Sequence, residues 1–466
     1  MPQETLPIPR EAMRRITEAV QDDIASHGSV SAATREDYLA AAARAMERLD
    51  ADGVAGIPTD PASAASLARV VYDAVGPGRL GPIEPLLASP DVTEIMVNGP
   101  DEVWAEVGGV IHRARVSYAD DDAVRACITR IVTADGKLCD EAHPMCDCVL
   151  HRPGEGCDQS RVNCVVPPIA VDHPLIDIRK FRKDVSTLDA LIGFGSLDGP
   201  LADYLRLLVL ARMNVIITGG TGTGKTTLLN ALSRCIPDSE RIVTIEDTPE
   251  LSIDKPQVVR MASRDANAEG RGEVTIRRLV KNALRQRPDR IIVGECRGEE
   301  AMEMLQAMST GHDGSLSTVH ANDPRDALER LNVMVHYGSE LSEDIVSKVI
   351  ASAVDYIVAL RRFPDGSRKV VEVTEVQGYA SGGDGGHGVI TTAPIWRFCD
   401  DGQGADGRQR GVPGTVPHNG ADLFRATSGS FREGCGPVPT GETAVQGGAQ
   451  RRLVGLGQAE PVGGGH

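Results

Sequence analysis

The segment Gly219-Gly220-Thr221-Gly222-Thr223-Gly224-Lys225-Thr226 constrains this chain more than any other, because it fits the pattern G-x-x-x-x-G-K-S/T and carries the flanks that the pattern needs. An apolar run, Asn214 to Thr218, precedes it, and a helix-like stretch, Thr227 to Cys235, follows it. A strand that feeds a glycine-rich loop into a helix N-terminus lets successive backbone N–H groups surround a polyphosphate. Gly219, Gly220, Thr221, Gly222, Thr223, Gly224, Lys225, Thr226 and Thr227 are therefore the candidate nucleotide-binding residues. The Lys225 ammonium reaches the β and γ phosphates, and the Thr226 hydroxyl is a candidate ligand for Mg²⁺. A flexible glycine turn without a ligand is the competing reading, and the strand and helix flanks disfavour it.

A chain of 466 residues exceeds one compact core and points to two to four domains. Hydrophobic residues make up 41% and aromatics only 3%, so the cores must be built from Ala, Val, Leu and Ile, and platforms for stacking single-stranded nucleic acid are poorly supplied. The formal charge of −17 argues against bulk affinity for DNA or anionic lipid, and no direct nucleic-acid contact is expected. Met1 to Gln21 alternates charges without an apolar segment and does not read as a signal peptide. Apolar runs stop short of a membrane span: Leu205 to Thr218 is broken by Arg206 and Arg212. The expectation is a cytoplasmic protein that meets a membrane only through partners. Of ten cysteines, six lie between Cys127 and Cys164, but none form a C-x-x-C pair, so reduced, partly buried thiols are expected rather than zinc ligands.

Residues 1–78 read as a helical region, with Ile16, Val20, Ile24, Tyr38, Ala42 and Met46 near helical spacing. Residues 79–182 read as an α+β domain, its short β-rich runs Thr93 to Val97, Glu102 to Val107, Arg161 to Val166 and Leu175 to Phe181 set around a helix at Asp121 to Val132. Residues 183–200, with Gly193, Gly195, Gly199 and Pro200, read as a linker. Across 201–399 strands and helices alternate, which implies an α/β domain with a parallel sheet wrapped by helices. A helix at Val274 to Arg287 has the apolar stripe Ile276, Leu279, Val280, Ala283, Leu284 and an opposite basic face of Arg277, Arg278, Lys281, Arg285 and Arg287, for which a solvated face is the simpler reading. From Asp400 to the end about a third of the residues are Gly or Pro, and the composition is that of a disordered tail.

Three segments downstream of the loop carry further chemistry. Arg241 to Asp247 is a strand that ends in two carboxylates, and in a parallel sheet ligands collect at that end, so Glu246 can orient or deprotonate an attacking water. Arg290 to Glu295 is an apolar strand with an acidic end, as in the Mg²⁺-binding strands of phosphate-loop enzymes; the longer carboxylate of Glu295 suits contact with the metal through water. His320 closes the run Ser315 to Ala321, where it can hydrogen-bond a phosphate or relay the nucleotide state.

These segments, taken in order, resemble the ATPases of type II and type IV secretion and type IV pili, and among them the CpaF-like ATPases of Tad (tight adherence, Flp-type) pilus assembly. The likeness runs through Leu80-Gly-Pro-Ile-Glu-Pro-Leu-Leu87, Thr93 to Pro100, Ser160 to Asn163, the glycine loop, Ile245-Glu-Asp-Thr248, Glu269 to Ile276, Pro288 to Glu295, the histidine segment ending at Asn322, and Pro324 to Glu329. The resemblance implies a cytoplasmic homo-hexamer whose subunits pair an N-terminal domain with a RecA-like ATPase domain and hold ATP at their junction. It implies hydrolysis coupled to domain motion on inner-membrane platform proteins. It also implies Glu246 as the catalytic acid, Glu295 as the acid of the Mg²⁺ strand, and Arg161 and Arg179 as N-terminal-domain arginines that approach the nucleotide. A nucleic-acid motor of RecA-like type, such as a conjugation ATPase or helicase, is the alternative; a GTPase is disfavoured because no N-K-x-D segment is present.

Overall fold

The computed structural model describes residues 9–27, 33–152, 159–181, 187–266, 270–382, 388–399 and 408–411. The chain divides into two compact units, Met1–Asp184 and Val185–His466.

The first unit opens with three helices, α1 (Arg10–His27), α2 (Arg35–Ala51) and α3 (Pro61–Val75). Thr34 and Asp37 form a reciprocal capping box at the start of α2, and Asp60 caps α3 with Pro61 in its first turn, where the missing N–H costs nothing. Ile16, Val20, Ile24, Tyr38, Ala42 and Met46, the residues at helical spacing in the sequence, are all buried in one core with Leu67 and Val71. A short helix α4 (Glu84–Ala88) leads into β1 (Val92–Val97), β2 (Val103–Val107), β3 (Val110–Arg113), α5 (Asp121–Ala134), β4 (Met145–His151), β5 (Gln159–Val165) and β6 (Leu175–Lys180). The six strands form a sheet in the order β3-β2-β1-β6-β5-β4, every pair antiparallel. One face packs Ile95, Val97, Val162, Ile176 and Ile178 with Val124, Ile128 and Ile131 of α5. Strict alternation puts Arg161, Asn163, Asp177 and Arg179 on the other face. Cys127, Cys146, Cys148 and Cys164 are free and buried in the apolar core, where burial raises the Cys127 thiol to about 11; Cys157 lies outside the described residues.

The second unit begins earlier than its glycine and proline content suggests. Within the stretch read as a linker, α6 (Leu188–Gly193) forms, α7 (Gly199–Leu210) starts, and Leu188, Leu191 and Leu197 are buried. Then follow β7 (Val215–Gly219), α8 (Lys225–Ser233), β8 (Ile242–Glu246), β9 (Val258–Ala262), α9 (Ile276–Ala283), β10 (Arg290–Cys296), α10 (Ala301–Ser309), β11 (Leu316–Val319), α11 (Pro324–Tyr337), α12 (Glu343–Ala353), β12 (Tyr356–Arg362), β13 (Arg368–Ala380), β14 (Val389–Cys399) and β15 (Arg408–Gly411). They form a nine-stranded sheet in the order β15-β14-β13-β12-β7-β11-β10-β8-β9. The six strands from β12 to β9 are parallel and the rest antiparallel. Strands β7 and β8 are buried at every residue, so helices must cover both faces. One face holds a core of Leu201, Leu205, Leu208, Leu228 and Leu232. The other holds Val280, Leu305, Leu331 and Ile350. This is the helix-wrapped parallel sheet expected from the alternating elements, and the RecA-like arrangement that the resemblance implies. The expected disordered tail falls outside the described residues, apart from β15, which pairs with β14. Arg277 and Lys281, from the basic face of α9, are engaged by Glu303 of α10 at 2.8 and 3.0 Å.

Asn214, fully buried just before β7, ties five backbone groups together. Its carbonyl oxygen accepts from the N–H groups of Gly314 and Ser315, its amide donates to the Met308 and Ala353 carbonyls, and its own N–H donates to Asp355. Asn214→Ala strands the four backbone groups that its side chain binds and is expected to lower stability by about 3 kcal/mol or more, read as a shift in the urea midpoint of the intact chain.

Candidate functional site

The glycine loop leaves β7 at Gly219 and enters α8 at Lys225. Gly222 and Gly224 take φ of +69° and +95°, a region that glycine enters without strain, and Gly224 sits at the N-cap with no side chain capping the helix. Gly219 has no room for a side chain: a Cβ there would lie 2.7 Å from the Leu360 carbonyl oxygen. Thr223 Oγ1 donates to the Gly220 carbonyl and fixes the turn. These features fit a polyphosphate: an uncapped helix N-terminus, a loop bent by glycines, and a buried ammonium. Lys225 Nζ donates to the Gly219 and Gly220 carbonyls at 2.9 and 3.0 Å and is poised at the loop it would share with a phosphate. Thr221 is exposed, and Thr226 and Thr227 are half-buried in the first turn of α8.

Parallel pairing of β7 with β11, β11 with β10, and β10 with β8 brings the expected acidic and histidine residues to one edge. His320 Nε2 stands 3.4 Å from Lys225 Nζ and 3.0 Å from Glu295 Oε1, between an ammonium and a carboxylate. One nitrogen cannot accept from the first and donate to the second at once, so the tautomer and charge of His320 decide which neighbour it serves. Burial and then the Lys225 charge hold His320 below its ordinary range, against the pull of Glu295.

Glu246 ends β8 and is buried. Its Oε1 accepts from the Glu250 and Leu251 N–H groups, both at 2.8 Å, while Oε2 has no hydrogen-bond partner among the described residues. The side chain lies against Gly294 of β10, where a Cβ would meet Glu246 Cγ at 2.9 Å. Gly294 is thus part of the site by what it lacks. The sequence reading also passed over Arg297, which donates to Glu295 Oε2 at 2.7 Å and pairs with Asp247 at 3.5 Å. Its position two residues beyond Glu295 carries no periodic signal that would have marked it. Glu300 accepts from the Arg297 and Gly298 N–H groups and holds that turn.

Arg161 and Arg179 belong to the first unit. They are direct cross-strand partners on β5 and β6 and make loose contacts with Asp147 (3.6 Å) and Glu94 (3.7 Å). Glu269 lies outside the described residues.

Residues 78–374 match the family described as type II/IV secretion system protein. The chain belongs to this family. Among its relatives, a Mycobacterium tuberculosis protein named for conjugal transfer is 39% identical over 293 residues, covering 63% of this chain and 83% of that protein. The type IV secretion system protein PtlH of Bordetella pertussis is 34% identical over 320 residues, covering 62% of this chain and 91% of PtlH. The solved structure of the VirB11 ATPase of the Brucella suis type IV secretion system is 28% identical and covers 63% of this chain and 94% of that one, with a TM-score of 0.34. The family match takes in both the antiparallel sheet of the first unit and the parallel sheet that carries the glycine loop.

Burial holds the Glu246 carboxyl up to about 7, against the opposing donors at Leu251 and Glu250 and the charge of Arg260. The folded protein therefore keeps a proton that the unfolded chain releases near 4.5, and Glu246 costs stability as pH rises through that window. Glu246→Gln keeps the shape and removes the titration. Its stability relative to the native chain should climb between pH 4.5 and 7 by on the order of 3 kcal/mol and level off above, as followed by urea unfolding at each pH.

Proposed function

We propose that this family member is an Mg²⁺-dependent ATPase that works as a homo-hexameric motor. It would power assembly of a Tad or type IV-like pilus, or type II/IV secretion, by coupling hydrolysis to domain motion on inner-membrane platform proteins. The observation that carries the reading is the convergence of Lys225, His320 and Glu295 beside a glycine loop that fits a triphosphate, with buried Glu246 against the same strand as Glu295. The Tad assignment rests on the resemblance carried by the ordered set of segments from Leu80 to Glu329. Among the described residues no helix is long and apolar enough to cross a membrane.

In this reading Lys225 and the backbone N–H groups of Gly219 to Thr227 hold the phosphates, and Thr226, with Glu295 through water, holds Mg²⁺. When bound there, the ion would supply charge neutralisation to the phosphates. Glu246 is the general base. Oε1 is held by two backbone donors, and Oε2, buried and without a hydrogen-bond partner among the described residues, is the oxygen that would take a proton from a water admitted beside it; its raised proton affinity suits that exchange near neutral pH. Arg161 and Arg179 supply positive charge to the phosphates from the first unit. Their present ion pairs are half-exposed, worth at most about 1 kcal/mol each, and easily exchanged.

A second reading, a nucleic-acid motor, finds some support in relatives named for conjugal transfer, such as TrbB of Rhizobium radiobacter at 34% identity. The charge of −17 and the scarcity of aromatics favour the first. Turnover stimulated by single-stranded DNA would reverse that preference.

Lys225→Ala should reduce ATP turnover by 10²-fold or more, and Glu246→Gln should lose turnover of similar order while keeping nucleotide affinity, measured by phosphate release and by titration with a fluorescent nucleotide. Turnover within a few-fold of the native chain in the Lys225 variant would dismiss the phosphate-loop assignment. Arg161→Ala and Arg179→Ala should each lower kcat, by about 10³-fold if they act as arginine fingers, with a smaller change in ATP affinity. An unchanged kcat in both would leave them as ordinary sheet-face arginines.

A further inference from the structure

Glu246, Glu295 and His320 all come from strands on one side of β7, in the order β11, β10, β8. On its other side β7 pairs with β12, which turns through residues 363–367 into β13. That hairpin lies against the glycine loop. The Leu360 carbonyl closes over Gly219, Arg368 Nε donates to the Gly222 carbonyl at 2.7 Å, and Arg362 Nη1 is 3.7 Å from the position a Gly222 Cβ would take. Arg362 and Arg368 face each other across the hairpin as Cα partners, and both are exposed.

A triphosphate seated in the loop with its terminal phosphate toward Glu246 and Glu295 must send its other end away from those strands, toward β12 and the hairpin. We propose that Arg362 is the nucleoside-side residue of the site, its guanidinium plane stacking on the base of the nucleotide whose phosphates the loop holds. The proposal rests on the phosphate-loop reading given above. Arg361 beside it is equally exposed, but it is Arg362 that stands next to Gly222, and three observations favour it over the remaining hairpin side chains. Arg368 is already engaged at Nε by the Gly222 carbonyl, so it holds the crest of the loop. Phe363 is half-buried against Phe398, ring centroids 5.6 Å apart, and Lys369 lies over the Phe398 ring and donates to the Gly195 carbonyl. Arg362 has neither a hydrogen bond nor an ion pair among the described residues, in a chain with a large excess of carboxylates. A planar cation next to the loop, without a carboxylate to satisfy it, is chemically matched to the flat uncharged π surface of a base.

The test uses the full chain and two probes, ADP and inorganic tripolyphosphate, titrated calorimetrically at fixed Mg²⁺ into the native protein and into Arg362→Ala. The expected result is ADP affinity weakened about tenfold with tripolyphosphate affinity unchanged, which also shows that the variant is folded. Equal loss of both probes would overturn the proposal, because Arg362 would then serve the phosphates or the fold. Unchanged ADP affinity would overturn it as well. Lys225→Ala in the same titrations separates the two levels: if it binds both probes like the native chain, the phosphate-loop reading itself fails, whatever Arg362 does.

Discussion

Strand β7 is hydrogen-bonded on both sides by parallel neighbours, β11 and β12, and is buried at every residue from Val215 to Gly219. This double pairing is the constraint on which the site depends. It leaves the strand no freedom to slip, since a shift of one residue would exchange the two buried faces. The loop that follows therefore emerges at one height and one angle. Asn214 fixes the start of the strand through backbone groups of three other segments, and the Leu360 carbonyl fixes its end by lying where a Gly219 side chain would be. The glycines of the loop serve two purposes: some permit the bend, and Gly219 permits the close approach of β12.

Around that fixed strand the charges are arranged unevenly. To one side stand Glu246, Glu295 and His320; to the other stand Arg362 and Arg368. Lys225 lies between, donating to carbonyls of its own loop and facing His320. Arg297 supplies a second cation on the acidic side, bridging Glu295 and Asp247. A buried carboxylate such as Glu246 is unfavourable when charged, and its backbone donors offset only part of that cost, so its proton affinity rises toward neutrality. The same burial that destabilises the ionised form equips the group to exchange a proton at physiological pH.

The first unit follows a different economy of surface. Its sheet is covered on one face by α5 and carries polar side chains on the other, a pattern that an antiparallel sheet can sustain and a fully wrapped parallel sheet cannot. Cys127, Cys146, Cys148 and Cys164 act there as small apolar residues, with burial disfavouring the thiolate of Cys127. Arg161 and Arg179 stand opposite each other on the polar face, held by pairs weak enough to exchange for a stronger anion.

Much of this was legible in the linear sequence wherever a local physical signal existed. The glycine loop announces itself because a phosphate cradle needs glycine, lysine and a hydroxyl at fixed spacing. The helical positions Ile16, Val20 and Ile24 follow from period 3.6, and the apolar strands ending in Glu246 and Glu295 from their placement before turns. Signals failed where a short apolar run has no motif beside it to mark it, or where contacts are distant. Tyr356 to Leu360, the strand that flanks the loop, is an apolar run without alternation, and α6 hides its buried leucines among glycines. Gly294, Arg297, Arg362 and Arg368 acquire their meaning from neighbours that the chain does not place beside them: Arg368 meets Gly222 across 146 residues. Sequence by itself determined which residues stand as candidates for chemistry, because donor types and turn geometry are local. Only the tertiary structure decided which side of the loop is acidic and which is basic, because strand order in a parallel sheet is set by the packing of helices on both faces and not by the order of residues in the chain.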